Sequence, residues 1–355
     1  MTIPRFRSAL AALALVIAVV LPGPPASAAG ETYVALGDSY SSGTGTRSYL
    51  PDGTSCQRSV YAYPSLIAIE RGLELNFRAC AGSTVADVVA TQLDALTPDT
   101  DYVSLSVGGN DAAFSSVLTE CAKPAWMSNC NRAVDRAQAF ITQQLPGSFA
   151  ALYGEIRARA PYASVTVAGY PRVFNGTDCN LLTWLSPAEQ LRLNATADLL
   201  NRTTAAAAAA SGFAFRDPTA PFTGYAVCDR QEWVNGLSFP VSNSYHPNRA
   251  GHAVGYAPLL SSALTGTPVS VSSATLQAAE ASAPAIALQQ STYAERDAGI
   301  QPEEFELPDL KSPEAREAAA RAGVDLSDRA DIDRADRAAE ALQDRAAGST
   351  QRNGR

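Results

Sequence analysis

The segment Tyr33-Val34-Ala35-Leu36-Gly37-Asp38-Ser39-Tyr40 joins a short apolar run to a turn that carries a serine. If the run is a strand that stops at Gly37, the serine hydroxyl is exposed at the end of the strand. A helix beginning there would offer unpaired N–H groups and the positive end of its dipole. An acyl-transfer nucleophile needs these conditions, although Gly-Asp-Ser is also an ordinary turn sequence.

Short apolar runs alternate with longer segments of helical period along the rest of the chain, which predicts an α/β fold with a parallel sheet. The predicted strands cover residues 33–36, 73–78, 102–107, 165–168 and 213–215. Helices are predicted over 83–96, 133–160 and 249–260. The clearest helix covers 186–210, because Ser186 is a suitable N-cap, Pro187 suits the first position and Glu189 completes a capping box.

Composition divides the chain into three parts. Arg5 and Arg7 precede an apolar stretch over residues 9–21, and Ala26-Ser27-Ala28 follows it, which predicts a cleaved secretory signal peptide over 1–28. After about residue 264, large apolar residues become scarce and alanine mixes with charged residues. We therefore expect a folded domain over 29–264 and an Ala-rich, charged C-terminal extension over 265–355, disordered or partly helical.

Six cysteines in an exported chain predict disulfides. Connectivity does not follow from the sequence alone. Our hypothesis is sequential pairing, because each bridge would then close a local loop and stabilise the fold by about 3 kcal/mol. The pairs would be Cys56 with Cys80, Cys121 with Cys130, and Cys179 with Cys228. A zinc site is not expected, since paired Cys-x-x-Cys spacing and nearby histidines are missing from the sequence.

The formal net charge is −8, and fifteen acidic against ten basic residues from position 291 onward supply −5 of it. No cluster of lysine or arginine favours nucleic acid as a partner, and the acidic balance argues against an anionic membrane surface. No segment after the signal is apolar enough to span a bilayer. We expect an extracellular monomer without a transmembrane anchor.

The chain has two histidines that could activate Ser39, His246 and His252. Pro247 disfavours helix at His246, which leaves its ring on a loop that can reach across the domain. His252 falls inside the predicted helix over 249–260, where a structural role is expected. His246 is therefore the candidate base.

Two further turns follow predicted strands, Cys80-Ala81-Gly82-Ser83 and Val107-Gly108-Gly109-Asn110-Asp111. The carboxyl ends of parallel strands share one edge of a sheet, so Ser39, Gly82 and Asn110 can converge. The backbone N–H groups of the first two and the side-chain amide of the third would supply three donors to an oxyanion. Each is an ordinary turn residue alone, and their combination favours acyl transfer.

With His246-Pro247-Asn248, these segments resemble the SGNH hydrolases, also called the GDSL family of lipases and esterases. The resemblance covers nearly all of residues 29–264, which would be the catalytic domain. It implies a three-layer α/β/α sandwich with a central parallel sheet of flavodoxin-like topology. It also implies Ser39 as nucleophile, His246 as base, an oxyanion hole from Ser39, Gly82 and Asn110, and no cofactor. The exported six-cysteine domain looks most like secreted actinomycete lipases and phospholipases.

One position departs from the family pattern. The family usually has an aspartate three residues before the histidine, and this chain has Asn243. A carboxylate both orients the imidazole and stabilises its protonated form, whereas a carbonyl does the first and only part of the second. We expect a dyad of Ser39 and His246 oriented by the main-chain carbonyl of Asn243, with a remote carboxylate such as Asp229 as the alternative. Asp38 is expected to be a local hydrogen-bond acceptor.

Two long connections are expected to shape the acyl pocket, or else their aromatic residues cap the core. They are 114–131, with Trp126 and Met127, and 221–240, with Phe222, Tyr225, Trp233 and Phe239. The predicted function is extracellular hydrolysis of carboxylic esters, chiefly lipid esters. The alternatives are a polysaccharide acetylesterase that uses the same groups and a secreted, non-catalytic binding protein with a hydrolase fold.

Overall fold

Five parallel strands form the central sheet of the computed structural model, which describes residues 1–2, 30–302 and 304–353. In chain order the strands are β1 (Thr32–Gly37), β2 (Glu74–Phe77), β3 (Tyr102–Ser106), β4 (Ser164–Ala168) and β5 (Ala214–Arg216). Each overlaps a strand predicted from the sequence. Within the signal peptide predicted over 1–28, residues 3–28 lie outside the described residues.

The strands lie in the order β2-β1-β3-β4-β5, which is the flavodoxin-like arrangement. Strand β1 pairs with β2 and β3, so that Ala35 is level with Phe77 on one side and Ser104 on the other. The chain runs to opposite sides of β1 in building β2 and β3. A crevice is expected at the carboxyl ends of the strands at this switch point, and Ser39 follows β1 there.

Helices cover both faces of the sheet. In chain order they are α1 (Ser39–Ser42), α2 (Tyr63–Arg71), α3 (Val85–Asp87), α4 (Phe114–Cys121), α5 (Cys130–Gln143), α6 (Leu145–Arg159), α7 (Pro187–Ala210), α8 (Ala257–Leu264), α9 (Ser273–Ser291), α10 (Ala294–Asp297), α11 (Pro313–Ala322) and α12 (Arg329–Asn353). Helices α2, α8 and α9 contact one face of the sheet; α7 contacts the other and packs with α5 and α6. The three-layer α/β/α fold is confirmed. No helix in the described ranges has the length and apolar character that a bilayer crossing requires.

Helix α7 begins where the sequence predicts. The Ser186 hydroxyl accepts from the N–H of Glu189, and the Glu189 carboxylate accepts from the N–H of Ser186. The predicted helix over 133–160 is instead two helices, α5 and α6. Pro146 has no N–H to donate one turn back, so a new helix begins at that point.

The other two predicted helices are also divided. The predicted helix over 83–96 is the short α3, then a π-helical turn over Val88–Gln92 and a 3-10 turn over Leu93–Ala95. The predicted helix over 249–260 begins as a π-helical segment over Gly251–Tyr256 and continues as α8.

The C-terminal segment differs from the expected solvated extension. Helix α9 packs against α2 and the edge strand β2, burying Ala279 and Ala287, and Ile300, Phe305 and Ile332 are buried further along. Alanine lets a helix approach its neighbours closely, so a shortage of large apolar residues does not prevent packing. Residues on both sides of the predicted boundary at 264 thus belong to one compact unit that starts at Glu31.

A buried ion cluster joins the C-terminal segment to the sheet. The carboxylate of Asp297, at the end of α10, accepts from Arg78 Nη2 at 3.0 Å and from Arg58 Nη2 at 2.5 Å. Arg58 Nη1 also forms a salt bridge with Asp52 at 2.8 Å. All four side chains are almost completely buried. Such a cluster is stable only while every charge keeps its partner.

The cysteines form three disulfides, each between sequential partners as in our hypothesis. The pairs are Cys56 with Cys80, Cys121 with Cys130, and Cys179 with Cys228. The first bridge packs against Ile300 of the C-terminal segment. The second links the end of α4 to the start of α5.

Candidate active site

Ser39 is the first residue of α1, directly beyond the carboxyl end of β1. Gly37 has a φ of +117°, and a Cβ there would lie 2.2 Å from the carbonyl oxygen of Ser106 on β3. Only glycine allows the chain to turn so close to the neighbouring strand. Asp38 caps the helix, since its carboxylate accepts from the N–H of Tyr40 at 3.0 Å. The turn places Ser39 in the crevice at the strand ends.

The two residues predicted to form a dyad are in hydrogen-bond contact. His246 Nε2 lies 2.9 Å from Ser39 Oγ, and its Nδ1 lies 2.8 Å from the carbonyl oxygen of Ser244. A carbonyl can only accept, so Nδ1 carries the proton and Nε2 is left to accept from the serine hydroxyl. Burial lowers the pKa of His246 to about 4, although the hydrogen bond to Ser244 raises it. The ring is neutral above that pH and is able to take a proton.

The group that orients His246 is not the predicted one. The Asn243 carbonyl accepts from Asn235 Nδ2 at 3.1 Å, and its side-chain oxygen accepts from the Tyr49 hydroxyl. Tyr245 has a φ of +60°. This backbone conformation folds the His246 ring back onto the carbonyl of Ser244. The carbonyl in contact with Nδ1 of His246 is therefore that of Ser244 and not that of Asn243.

The alternative orienting group, Asp229, is engaged elsewhere. Its carboxylate accepts from Asn175 Nδ2 at 3.1 Å and from the N–H of Ala226 at 2.8 Å. The hydrogen bonds of Asp229 stabilise a loop, and the carboxylate is not a partner of His246.

The predicted oxyanion donors lie at the same edge of the sheet. Ser39, Gly82 and Asn110 line one cavity together with His246. Asn110 Nδ2 donates to the carbonyl of Ser83 at 2.9 Å, which ties together the loops after β2 and β3 and uses one of its two hydrogens. In the described part of the chain, the N–H groups of Ser39 and Gly82 have no intramolecular acceptor. Three donors are thus available near Ser39 Oγ.

Asp38 points away from Ser39, as the sequence predicts. Its carboxylate accepts from Ser106 Oγ at 2.6 Å and from the Tyr170 hydroxyl. Burial raises the pKa of Asp38 to about 6, and these hydrogen bonds oppose the rise. Tyr170 belongs to none of the motifs in the sequence, and its place just after β4 was the available signal. Its hydroxyl also accepts from the N–H of Gly109 at 3.3 Å and so holds the loop of Asn110.

An apolar cavity extends from Ser39 and His246 between helices α4, α5 and α7. Its apolar walls include Val117 and Leu118 of α4, Ile141 of α5, and Leu200 of α7. The cavity can accept an apolar chain attached to a carbonyl group at Ser39.

The two connections expected to shape this cavity contribute unequally. Phe114, Ser115, Val117 and Leu118 line it, whereas Trp126 and Met127 are not among its lining residues. In 221–240 the alternative holds for three of the four aromatic residues, because Phe222, Tyr225 and Trp233 cap the core. Phe222 packs edge-on against Trp233 at 5.4 Å and Tyr256 at 5.2 Å. Tyr225 stacks on the same indole, and Phe239 lies 65% exposed at the surface.

The second histidine is part of the core. His252 is completely buried, its Nδ1 accepts from the N–H of Tyr63 at 3.3 Å, and its ring packs beside those of Tyr63 and Tyr256. Burial lowers its pKa to about 3, so the ring stays uncharged. Its contacts are structural, as expected.

Comparison with known proteins extends the similarity beyond single motifs. Residues 35–254 match the GDSL-like Lipase/Acylhydrolase family. A lipase of Streptomyces rimosus is 41% identical over 270 residues, covering 74% of this chain and 100% of the relative. Lipase 1 of Streptomyces coelicolor is 38% identical over 269 residues, covering 73% and 99%. The crystal structure of phospholipase A1 from Streptomyces albidoflavus has a TM-score of 0.63 at 40% identity and covers 66% of this chain and 100% of its own.

Proposed function

Because the chain belongs to the GDSL-like lipase/acylhydrolase family and is a carboxylic ester hydrolase, we propose that Ser39 is its nucleophile and His246 its general base. The observation that carries the proposal is the 2.9 Å contact between Ser39 Oγ and His246 Nε2. As Oγ attacks the ester carbonyl carbon, His246 takes the hydroxyl proton and then gives it to the leaving alcohol. Water repeats the sequence on the acyl-enzyme and releases the carboxylic acid.

Three hydrogen-bond donors can stabilise the negative charge that develops in this attack. The substrate carbonyl oxygen becomes an oxyanion, and the N–H groups of Ser39 and Gly82 with the Asn110 amide are assigned to it. The imidazolium is oriented by the Ser244 carbonyl dipole in place of a carboxylate. The low pKa of His246 favours return of the proton to the leaving group.

The proposed substrates are lipid esters whose acyl chain enters the cavity between α4, α5 and α7. Each buried methylene contributes about 0.8 kcal/mol, so the apolar walls favour long chains. The apolar side chains of α4, α5 and α7 offer contacts that an acetyl group is too short to use fully, which argues against the acetylesterase alternative. Lipases and a phospholipase A1 among the relatives support the same substrate class.

We also propose that the protein acts outside the cell as a monomer. Its three disulfides suit an oxidising compartment, and one related crystal structure is of an extracellular lipase. The signal peptide predicted over 1–28 would direct the export. One chain supplies both members of the dyad and all three donors, so catalysis needs no second copy.

The test combines labelling with substitution. A fluorophosphonate should modify Ser39, and Ser39→Ala should abolish both labelling and hydrolysis of p-nitrophenyl esters, with a loss in kcat of about 10⁴ or more. Ser115→Ala removes another serine of the same cavity and should keep both. Labelling of a different residue, or activity in Ser39→Ala, would refute the assignment. If the unchanged protein is not labelled, the binding-protein alternative is supported. If it prefers acetate esters to esters of longer acids, the acetylesterase alternative is supported.

A further inference from the structure

The active-site cavity has a wall from outside the matched family region. The family match ends at residue 254, whereas Pro302, Glu304 and Phe305 line the cavity that holds Ser39 and His246. We call these three residues the C-terminal wall. We propose that the C-terminal wall determines which acyl chains the enzyme accepts, with Phe305 as a specificity-determining residue. This inference rests on the proposed function of Ser39 and His246.

The first residue of the wall contacts an oxyanion donor. A Cβ built on Gly82 would lie 2.6 Å from Pro302 Cα and 2.9 Å from the carbonyl oxygen of Gln301. The backbone at 301–302 therefore packs directly on Gly82, which leaves little room on that side. A substrate carbonyl that reaches the N–H of Gly82 must approach with its substituents directed away from Pro302.

Phe305 packs against the loop that carries the base. Its side chain is buried, and its ring lies edge-to-face with that of Tyr245 at 5.0 Å. Tyr245 directly precedes His246, and its carbonyl accepts from the Tyr40 hydroxyl at 2.8 Å. An aromatic pair of this kind contributes about 0.5–1.5 kcal/mol beyond its buried area. The Phe305 ring is thus a fixed apolar surface near the reacting groups.

The wall is held on both sides by the rest of the protein. Before it, the Ile300 carbonyl accepts from Ser55 Oγ at 3.1 Å, and the Ile300 side chain packs on the bridge between Cys56 and Cys80. After it, the N–H of Glu306 donates to Thr119 Oγ1 of α4 at 2.9 Å. These contacts connect the loop at Cys56 to α4 across the cavity. The side chain of Phe305 therefore has a defined position from which to limit cavity width.

Substitutions at Phe305 should change the acyl-chain profile in opposite directions. Phe305→Ala removes a ring from the cavity, and the ratio of kcat/KM for p-nitrophenyl laurate to that for p-nitrophenyl butyrate should rise about tenfold. Phe305→Trp adds volume and should lower this ratio. Ile332→Ala is the matched control, since Ile332 is a buried residue of the same segment that does not line the cavity, and the ratio should stay within about twofold.

The inference is overturned if Phe305→Ala leaves the ratio within about twofold of the unchanged protein, or if Ile332→Ala shifts it equally. Circular dichroism checks the fold of each variant. If Phe305→Ala does not fold, Phe305→Leu should shift the ratio in the same direction by less, and an unchanged ratio there also refutes the wall. Fluorophosphonate labelling of Ser39 separates the two proposals. Full labelling with an unchanged laurate-to-butyrate ratio refutes only the role of the C-terminal wall, whereas an unlabelled Ser39 refutes the proposed function.

Discussion

Replacing Asp297 with asparagine tests whether the C-terminal segment is an integral part of the folded enzyme. The Asp297 carboxylate is completely buried and forms salt bridges with both Arg58 and Arg78. Asparagine keeps the shape and removes the charge. Arg58 would keep its pair with Asp52 at 2.8 Å. Arg78 would keep only neutral partners: the Thr91 carbonyl, the Gln290 side chain, the amide oxygen of the new asparagine and the ring of Tyr293.

The expected loss in the free energy of unfolding follows from the different partners that Arg58 and Arg78 would keep. Leaving a buried charge without its partner costs about 3–5 kcal/mol, and the lower end applies because Arg58 stays paired and Arg78 keeps its neutral acceptors. For a chain of this length, about 3 kcal/mol corresponds to a fall in Tm of about 4 °C. Urea unfolding followed by circular dichroism, with the disulfides intact, measures the free energy directly. Urea is preferable to guanidinium because it does not screen the ion pairs.

The matched control is Asp309→Asn, which removes an exposed carboxylate from the same segment. Its Oδ1 accepts from the N–H of Lys311 at 2.8 Å, and asparagine can retain that bond. The free energy of unfolding should change by about 0.5 kcal/mol or less. If Asp297→Asn costs no more than this control, the ion cluster does not hold the segment and our account of its packing is wrong.

The remaining predictions concern the base. Asn243→Ala should keep kcat/KM within roughly tenfold, because the Ser244 carbonyl that holds His246 is unchanged, and a much larger loss would implicate the Asn243 side chain. A plot of kcat/KM against pH should fall as the pH drops through about 4, where His246 becomes protonated and can no longer accept a proton. An inflection near pH 6 would instead indicate Asp38, whose pKa burial raises to about 6.

The convergence of the proposed reacting groups could be predicted because their positions depend on local sequence and one general rule. An apolar run that ends at glycine marks where each strand stops, and the carboxyl ends of parallel strands share one edge. Ser39, Gly82 and Asn110 each follow such an end, so their convergence needs no knowledge of distant contacts. His246 follows from elimination between two histidines and from Pro247.

The orienting carbonyl could not be predicted to the residue. It depends on the positive φ of Tyr245, an unusual conformation for a bulky side chain that no local pattern indicates. A change of one residue in the backbone acceptor does not alter the chemistry of the hydrogen bond. The sequence therefore predicted the kind of partner and misplaced it by one position.

The C-terminal segment was misread because its attachment depends on contacts between distant parts of the chain. Composition shows that large apolar residues are scarce, and it does not show that Asp297 meets Arg58 and Arg78, 239 and 219 residues away. Nor does it show that Ala279 and Ala287 are among the buried positions of α9. Pairing between oppositely charged residues carries no periodic signal, unlike a strand or an amphipathic helix.

Gly82 is the residue at which the hydrolase site and the C-terminal segment meet. Its φ of +86° already disfavours any side chain. The contact with Pro302 excludes one independently, because even a methyl group would overlap the Pro302 backbone. The same small residue is thus a proposed oxyanion donor and the position against which a second segment packs. The segment at 301–302 therefore adds a wall to the cavity at this glycine, and the proposed effect of that wall on specificity requires no change in the contact between Ser39 and His246.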